Sequence, residues 1–337
     1  MLWGHCVQYC IPTGHDFYDN ILFKAIYGFH MPFFMLISGY LFYFSFRKRE
    51  LAPLLAHRTQ NLLHAILGGT VFIYLSTRYV SAVLDGQYLA VISGGWLESL
   101  NVVWFLWSVL SASLVVGFVC KKVARLRFQL LLLVVLGIPA VLLFPCGVEN
   151  VFMFPYFVLG FFFAKYKDRI PQKLLLFKYV SIPAYPVLLL FFKRKHYIYT
   201  SGLWGAGNSL GESLSIDLYR WVVGLVGSVA AFCVLELFCR LVVRKTSDAP
   251  LWRHAARFGS ASLQIYVLSI VFLSSYLPHA YRIVKRLVPA LDSFFASYIW
   301  IYNGVFTLIV STLYAIALFL IVKLFEKIKL SRLLFGR

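Results

Sequence analysis

The chain alternates between long apolar runs and short polar segments along its whole length. A membrane-spanning helix needs about 20 mostly apolar residues, and these runs approach or reach that length. We predict spans at residues 21–46, 61–79, 101–120, 129–146, 151–166, 176–192, 218–242, 259–277 and 300–323. A shorter apolar stretch, Leu2 to Pro12, precedes them.

The composition agrees with this pattern. Of the 337 residues, 61% are apolar and 13% are charged, whereas soluble domains average about 45–50% and about 25%. A soluble chain of this size could not bury so much apolar surface. The sequence therefore excludes soluble and disordered proteins. It predicts an all-α, polytopic transmembrane helix bundle of about ten helices, which forms one integral-membrane domain over residues 1–337.

The basic residues predict an orientation. The net charge is +19, and cytoplasmic loops of membrane proteins carry an excess of Lys and Arg. Most of the Lys and Arg residues fall at 47–60, 121–128, 165–178, 240–257 and from Lys323 onward. We therefore expect both termini in the cytoplasm, against which only Lys193-Arg194-Lys195 argues. Because topology explains the charge, we expect no nucleic-acid partner.

The first helix is short. As a helix, Leu2 to Pro12 covers roughly 16 Å, about half of a hydrocarbon core of roughly 30 Å. We expect this helix to be truncated at its N-terminus, with about 15–20 residues missing as judged against a full span. The other interpretation is a first helix of half length.

Ionisable groups inside spans are candidates for function, because burying them in lipid is costly. His5 and His30 both lie roughly 10–15 Å below the outer surface at helical rise. The short connection at 13–20 favours antiparallel neighbours. Two imidazoles at one depth suit proton transfer to or from a hydroxyl, although polar tethers between helices are equally compatible. Glu236 is paired, protonated or part of a proton path, and the sequence does not distinguish these.

Two further features point to a ligand site. Pro32 frees a backbone carbonyl and Ser38-Gly39 permits close helix approach, a pattern typical of a broken helix beside a cavity or of ordinary packing. Arg58 directly precedes a span, where its guanidinium could bind a phosphate or serve only as topogenic charge. No third ligand accompanies the two histidines, so we expect no metal.

These segments resemble a known family. In the same order along the chain, GHCVQY, FHMPFFMLISGYLF, the basic loop, NVVWFLW, FPYFVLG and FGSASLQIYVLS resemble the acyltransferase-3 family of bacterial membrane proteins. The resemblance implies a ten-helix enzyme of the bacterial cytoplasmic (inner) membrane. Such an enzyme moves an acyl group, usually acetyl from cytoplasmic acetyl-CoA, onto extracytoplasmic sugars of polysaccharides.

The resemblance also implies roles for particular residues. His5 matches the essential histidine of the first helix, and His30, Pro32, Ser38 and Gly39 match the second-helix motif. Arg58 matches the first Arg of an Arg-x-x-Arg motif on the acyl-CoA side, and Trp104, Phe105 and Leu106 match a Trp-Phe-Leu motif. Departures from the family pattern are Asn61, His64 and Ser269, which stand where the family has the second Arg, a Pro and a His.

The leading hypothesis is thus a membrane O-acyltransferase. His5, His30 and Ser38 are its candidate catalytic residues, and Arg58, Trp104 and Phe105 are its candidate acyl-CoA ligands. Its expected partners are acyl-CoA, the lipid bilayer and an extracytoplasmic polysaccharide or lipid-linked glycan. One alternative is a multi-pass transporter of glycan precursors or small solutes. Another is a membrane assembly partner without chemistry of its own.

Overall fold

The structure, a computed structural model, describes residues 1–84, 96–172, 176–198, 208–243 and 256–335. Most of the predicted loop 240–257 lies outside these residues. Among the described residues there is no strand, and six helical segments are long and apolar enough to cross a membrane: Ile21–Lys48, Trp104–Lys122, Gly147–Arg169, Leu210–Leu241, Ser262–Leu287 and Ile299–Lys327. Leu126–Leu142 and Lys178–Leu190 are shorter apolar helices. The predicted all-α polytopic class is confirmed, and each predicted span overlaps a helix.

In chain order the helices are α1 (Leu2–Tyr9), α2 (Ile21–Tyr27), α3 (His30–Lys48), α4 (Leu51–Leu84), α5 (Trp96–Val102), α6 (Trp104–Lys122), α7 (Leu126–Leu132), α8 (Ile138–Leu142), α9 (Gly147–Tyr166), α10 (Ser181–Leu190), α11 (Leu210–Val243), α12 (Ser262–Val271), α13 (Leu277–Leu287), α14 (Pro289–Ser297), α15 (Ile299–Ile301), α16 (Thr307–Lys327) and α17 (Leu330–Phe335). Short 3-10 turns lie at Phe17–Asp19, Lys167–Arg169, Phe177–Val180 and Arg194–His196. Turns of π-helix lie at Leu133–Gly137, Phe272–Tyr276 and Tyr302–Phe306.

The predicted span at 21–46 is interrupted close to Pro32, as the proline predicts. Residues 28 and 29 form a turn between α2 and α3. Pro32 has no N–H, so it cannot donate to the carbonyl of Gly28, four residues earlier. Helical hydrogen bonding resumes with the Phe33 N–H, which donates to the Phe29 carbonyl at 2.8 Å. The break places His30 at the first position of α3.

Helix α4 begins at Leu51, well before the predicted start at residue 61. Hydropathy detects only the apolar part of a helix, whereas backbone hydrogen bonding continues through its polar first turns. Arg58 therefore lies within a helix and not in the loop that the sequence indicated.

The chain divides into two compact units, each described by itself. The first comprises Met1–Ile26, Leu63–Val103 and Asp248–Arg337. In it, the Trp3 indole N–H donates to the Thr307 hydroxyl at 2.9 Å, and the Tyr302 hydroxyl donates to the Val7 carbonyl at 2.9 Å. These bonds attach α1 to the segment that leads into α16. A core cluster joins α12 and α16 and consists of Ala261, Ile265, Leu268, Leu318 and Val322.

The second unit comprises Tyr27–Leu62 and Trp104–Ser247. Its centre is formed by α3, α6 and α9, which run in the same direction. Near their starts the rings of Phe34 and Phe105 are 6.2 Å apart, and farther along Phe42 contacts both Gly117 and Phe157. The first residues of α3 and α6 therefore lie at one end of the unit, and their C-terminal residues lie at the other.

Two glycines set the distance between α3 and α9. A Cβ on Gly39 would lie 2.0 Å from the Phe157 carbonyl oxygen, and a Cβ on Gly160 would lie 2.0 Å from that of Leu36. Each helix thus presents a glycine to the backbone of the other. In a bilayer, packing between helices depends on such small residues, because lipid is as apolar as the side chains. The close approach predicted at Ser38-Gly39 is present at Gly39.

We expect Gly39→Ala and Gly160→Ala each to destabilise the protein by about 1–3 kcal/mol, because the added methyl group meets backbone atoms that cannot rotate away. The measurement is the apparent melting temperature in detergent. Gly211→Ala is the matched control, since a Cβ there meets nothing within 4 Å. Equal melting temperatures for all three variants would contradict the close approach of α3 and α9 at these glycines.

Candidate functional site

A pocket lies in the second unit at the starts of α3 and α6. Its cavity volume is about 40 Å³, and it is partly open to the outside. Most of its lining is apolar or aromatic, with a few polar groups, as is usual for small-molecule sites. The aromatic residues of the lining are Tyr27, Trp104, Phe152, Phe192 and Tyr197.

His30 and Trp104, two residues singled out from the sequence, both line this pocket. Each is the first residue of its helix, His30 of α3 and Trp104 of α6. His30 is buried, and its ring packs edge-on against Tyr27 with centroids 4.7 Å apart. The parallel course of the two helices therefore brings a histidine and a tryptophan, distant in sequence, to one cavity.

Two polar residues of the pocket were not predicted: His196 and Arg220. Arg220 lies on α11, is buried, and donates to the carbonyls of His196 at 2.8 Å, Tyr197 at 3.1 Å and Lys195 at 3.4 Å. It therefore binds the loop around residue 196 to α11.

The charge of Arg220 is balanced within α11. Its guanidinium forms an ion pair with Asp217 at 2.7 Å, three residues earlier. This i, i+3 spacing was the available sequence signal, but the sequence does not show that the loop folds back onto the helix. Ion pairing allows a buried guanidinium to stay charged beside the pocket.

His196 has a defined protonation pattern. The Lys193 backbone N–H donates to its Nδ1 at 2.8 Å. A ring nitrogen that accepts has no proton, so the neutral imidazole carries its proton on Nε2. Burial, together with the positive charges of Lys195, Arg220 and Lys193, lowers the pKa of His196 to about 4. At neutral pH this side chain is an uncharged donor.

The other candidates on these helices lie outside the pocket lining. Ser38 is half-buried on α3, roughly 12 Å along the helix from His30 at about 1.5 Å per residue. Phe105 directs its ring toward Phe34. The structure therefore brings together His30 and Trp104 but places neither Ser38 nor Phe105 with them, and the roles of both remain predictions.

Arg58 lies toward the opposite end of the second unit. Its Nε donates to the Ser113 hydroxyl at 3.4 Å, and its guanidinium lies 5.7 Å from the centroid of the Phe42 ring. Asn61, at the position of the second Arg, contacts His57 Nε2 at 3.1 Å. Helices α3, α6 and α9 end in basic residues on this side, and we call this the basic end: Arg47, Lys48, Lys121, Lys122 and Lys165.

His5 belongs to the first unit. It is half-buried on α1, and its Nδ1 lies 3.1 Å from the Gln8 side-chain oxygen, one turn along the helix. An amide oxygen only accepts, so Nδ1 carries the proton and the lone pair is on Nε2. The ring also stacks on Tyr9, with centroids 5.8 Å apart. That His5 and His30 share one site remains a prediction.

Glu236, whose state the sequence left open, is paired. Lys178 forms a salt bridge with one carboxylate oxygen, and Arg240 donates to the other at 2.6 Å. Each carboxylate oxygen therefore has a positively charged partner. Of the three possibilities for Glu236, the structure shows the paired one. Among the residues that the structure describes, no group of three or more His, Cys, Asp or Glu side chains could hold a metal ion.

The fold and surface define a class of protein. Many large apolar side chains are exposed on the long helices, among them Leu131, Phe238 and Leu320, each more than half exposed. A soluble protein does not expose apolar surface on this scale, but lipid covers it. The chain is a multi-pass integral membrane protein with a mostly apolar and aromatic pocket.

The chain belongs to the acyltransferase-3 family, whose sequence model, described as "Acyltransferase domain", matches residues 1–322. It is also similar to two proteins named "Nodulation protein NolL". The one from Sinorhizobium fredii is 32% identical over 173 residues, which are 48% of this chain and 44% of that protein. The one from Mesorhizobium japonicum is 26% identical over 168 residues, 48% and 43% of the two chains. The matched region spans less than half of each relative. No solved structure matches the chain significantly.

The low pKa of His196 predicts its titration. Lys193, Lys195 and Arg220 surround it with positive charge, and the rings of Tyr219 and Phe192 cover it. A nitrogen-15 NMR titration of imidazole-labelled protein should give a midpoint near pH 4, against an ordinary value of about 6.5. Because the unfolded chain then binds more protons, protonation removes stability as the pH falls below about 6.5.

The resonance that disappears from the spectrum of the His196→Asn variant is assigned to His196. A midpoint close to 6.5 would contradict the buried, positively charged surroundings described above.

Proposed function

We propose that this protein is a membrane O-acyltransferase. It moves an acetyl group from cytoplasmic acetyl-CoA to a hydroxyl of an extracytoplasmic polysaccharide or lipid-linked glycan. Both termini face the cytoplasm of a bacterial inner membrane. Family membership supports acyl transfer as the reaction class.

One structural observation carries the proposal. In the second unit, three parallel helices connect a basic end near Arg58 with a pocket that contains His30 and Trp104. Cationic side chains at helix ends suit the phosphates of a nucleotide-containing thioester. An aromatic pocket with few polar groups suits an organic acceptor. By the positive-inside rule, the basic end faces the cytoplasm.

In the proposed reaction, His5 is the general base. The hydroxyl oxygen of the acceptor bonds to the thioester carbonyl carbon while its proton passes to His5 Nε2. The carbon–sulfur bond then breaks, and the departing sulfur of coenzyme A takes up that proton. The contact of Nδ1 with the Gln8 side-chain oxygen supports the tautomer that has its proton on Nδ1, in which Nε2 is the basic nitrogen. His30 and Ser38 orient the reacting groups.

The experiment that tests this proposal measures ester-linked acetyl groups on the surface polysaccharides of the host. Three strains are compared: one without the gene, one complemented with the native reading frame and one complemented with its His5→Ala form. If the acetyl groups disappear on deletion and return only with the form that has His5 intact, the result supports acyl transfer. Equal acetyl content in all three strains contradicts it and favours the transporter.

Replacement of His5 should remove most of the activity. Positioned general bases contribute typically 10²–10⁴-fold, so we expect His5→Ala to lower the transfer rate by about that factor. The protein level in the membrane should not change. His15→Ala is the matched control, because His15 is exposed and its ring contacts the Ala296 carbonyl among the described residues. Full activity of His5→Ala would exclude His5 as the base.

Replacement of Arg58 should weaken binding of the donor. Hydrogen bonds to charged groups contribute about 1.5–3 kcal/mol, so Arg58→Gln should raise KM for acetyl-CoA about ten- to a hundredfold. KM for the acceptor should stay constant. Arg127→Gln removes the same charge from an exposed position on α7 and is the control. Equal effects of the two substitutions would indicate general surface charge and not a donor contact.

A further inference from the structure

Both the backbone and the side chain of His196 form hydrogen bonds with Lys193. Its backbone N–H donates to the Lys193 carbonyl at 2.8 Å, and the Lys193 N–H donates back to Nδ1 at 2.8 Å. The ring also lies between Tyr219 and Phe192, with centroids 4.6 Å and 5.5 Å away. These contacts determine the direction of the imidazole without any ligand.

The opposite nitrogen of this ring remains available. Among the residues that the structure describes, none accepts a hydrogen bond from His196 Nε2. The residue is only 8% exposed and lines the pocket. Nε2 is not one of the fully buried polar atoms that lack a partner, so this donor is accessible to a ligand or to water in the pocket.

Arg220 holds residues 195–197, which carry this donor, in place. Arg220 binds three successive carbonyls, those of Lys195, His196 and Tyr197, and Asp217 holds Arg220. A site that holds its polar groups rigidly orients a ligand at little further entropic cost.

We propose that His196 is a specificity-determining donor, and that its Nε2–H binds a sugar oxygen of the acceptor in this pocket. The inference rests on the acyltransferase function proposed above. The bound oxygen is not the reacting one, because a donor to the reacting oxygen would engage the lone pair that attacks the thioester. Aromatic rings of the lining supply flat faces for the apolar side of a sugar ring.

Two substitutions separate the donor from the structural role of the residue. In His196→Asn, the side-chain oxygen replaces Nδ1 as acceptor for the Lys193 N–H, but nothing replaces the Nε2 donor. In His196→Gln, the longer side chain returns an N–H donor near the position of Nε2. The probes are oligosaccharides released from the surface polysaccharide of the host, with acetyl-CoA as donor.

We expect His196→Asn to raise KM for the oligosaccharides about three- to tenfold, because one neutral hydrogen bond to the ligand is lost. KM for acetyl-CoA and kcat should change little, and His196→Gln should recover most of the affinity. Unchanged KM in His196→Asn, or equal losses in both variants, would overturn the assignment.

A second measurement does not depend on acyl transfer. Nitrogen-15 NMR of the imidazoles in the intact protein should show His196 protonated at Nε2 and not at Nδ1. Addition of the same oligosaccharides should shift that resonance. If the wild type binds them but transfers no acyl group, the proposed function fails and the donor role stands. If the proton is on Nδ1, or the resonance does not respond, the donor role fails.

Discussion

The second unit depends on the contact between the glycines of α3 and α9 and the backbone of the opposite helix. Gly39 and Gly160 let the two helices lie so close that neither position has room for a methyl group. In lipid, this packing replaces the hydrophobic effect as the force between helices. The close, parallel course of α3 also fixes where its ends lie. His30 thereby reaches the pocket at the start of the helix, and Arg47 and Lys48 reach the basic end.

Two charged groups on α11, Glu236 and Arg220, have partners of opposite charge. Glu236 is bound by Lys178 and Arg240, and Arg220 is bound by Asp217. A buried ion pair costs less than an isolated charge but does not by itself stabilise a fold. Near the pocket, the pair formed by Arg220 and Asp217 serves to hold the loop of His196. The polar groups that line the cavity are then a few oriented donors and imidazoles.

The sequence predicts those features that depend on neighbouring residues. Pro32 interrupts its helix because it lacks an N–H, Gly39 permits close packing because it lacks a side chain, and the apolar runs become helices. It does not predict the position of His196, because the loop folds back onto α11 through backbone carbonyls that leave no trace in residue type. The predicted span 61–79 begins ten residues after the start of α4, because hydropathy does not detect the polar first turns of a helix. The catalytic role of Ser38 beside His30 follows from the family resemblance and stays a prediction.

In the proposed reaction, donor and acceptor approach this protein from opposite sides of the membrane. The direct measurement uses proteoliposomes in which the protein has one orientation, with radiolabelled acetyl-CoA on one side and host oligosaccharides on the other. The account predicts labelled oligosaccharide only when acetyl-CoA is on the side of the basic end. Transfer with both substrates confined to the pocket side would contradict it.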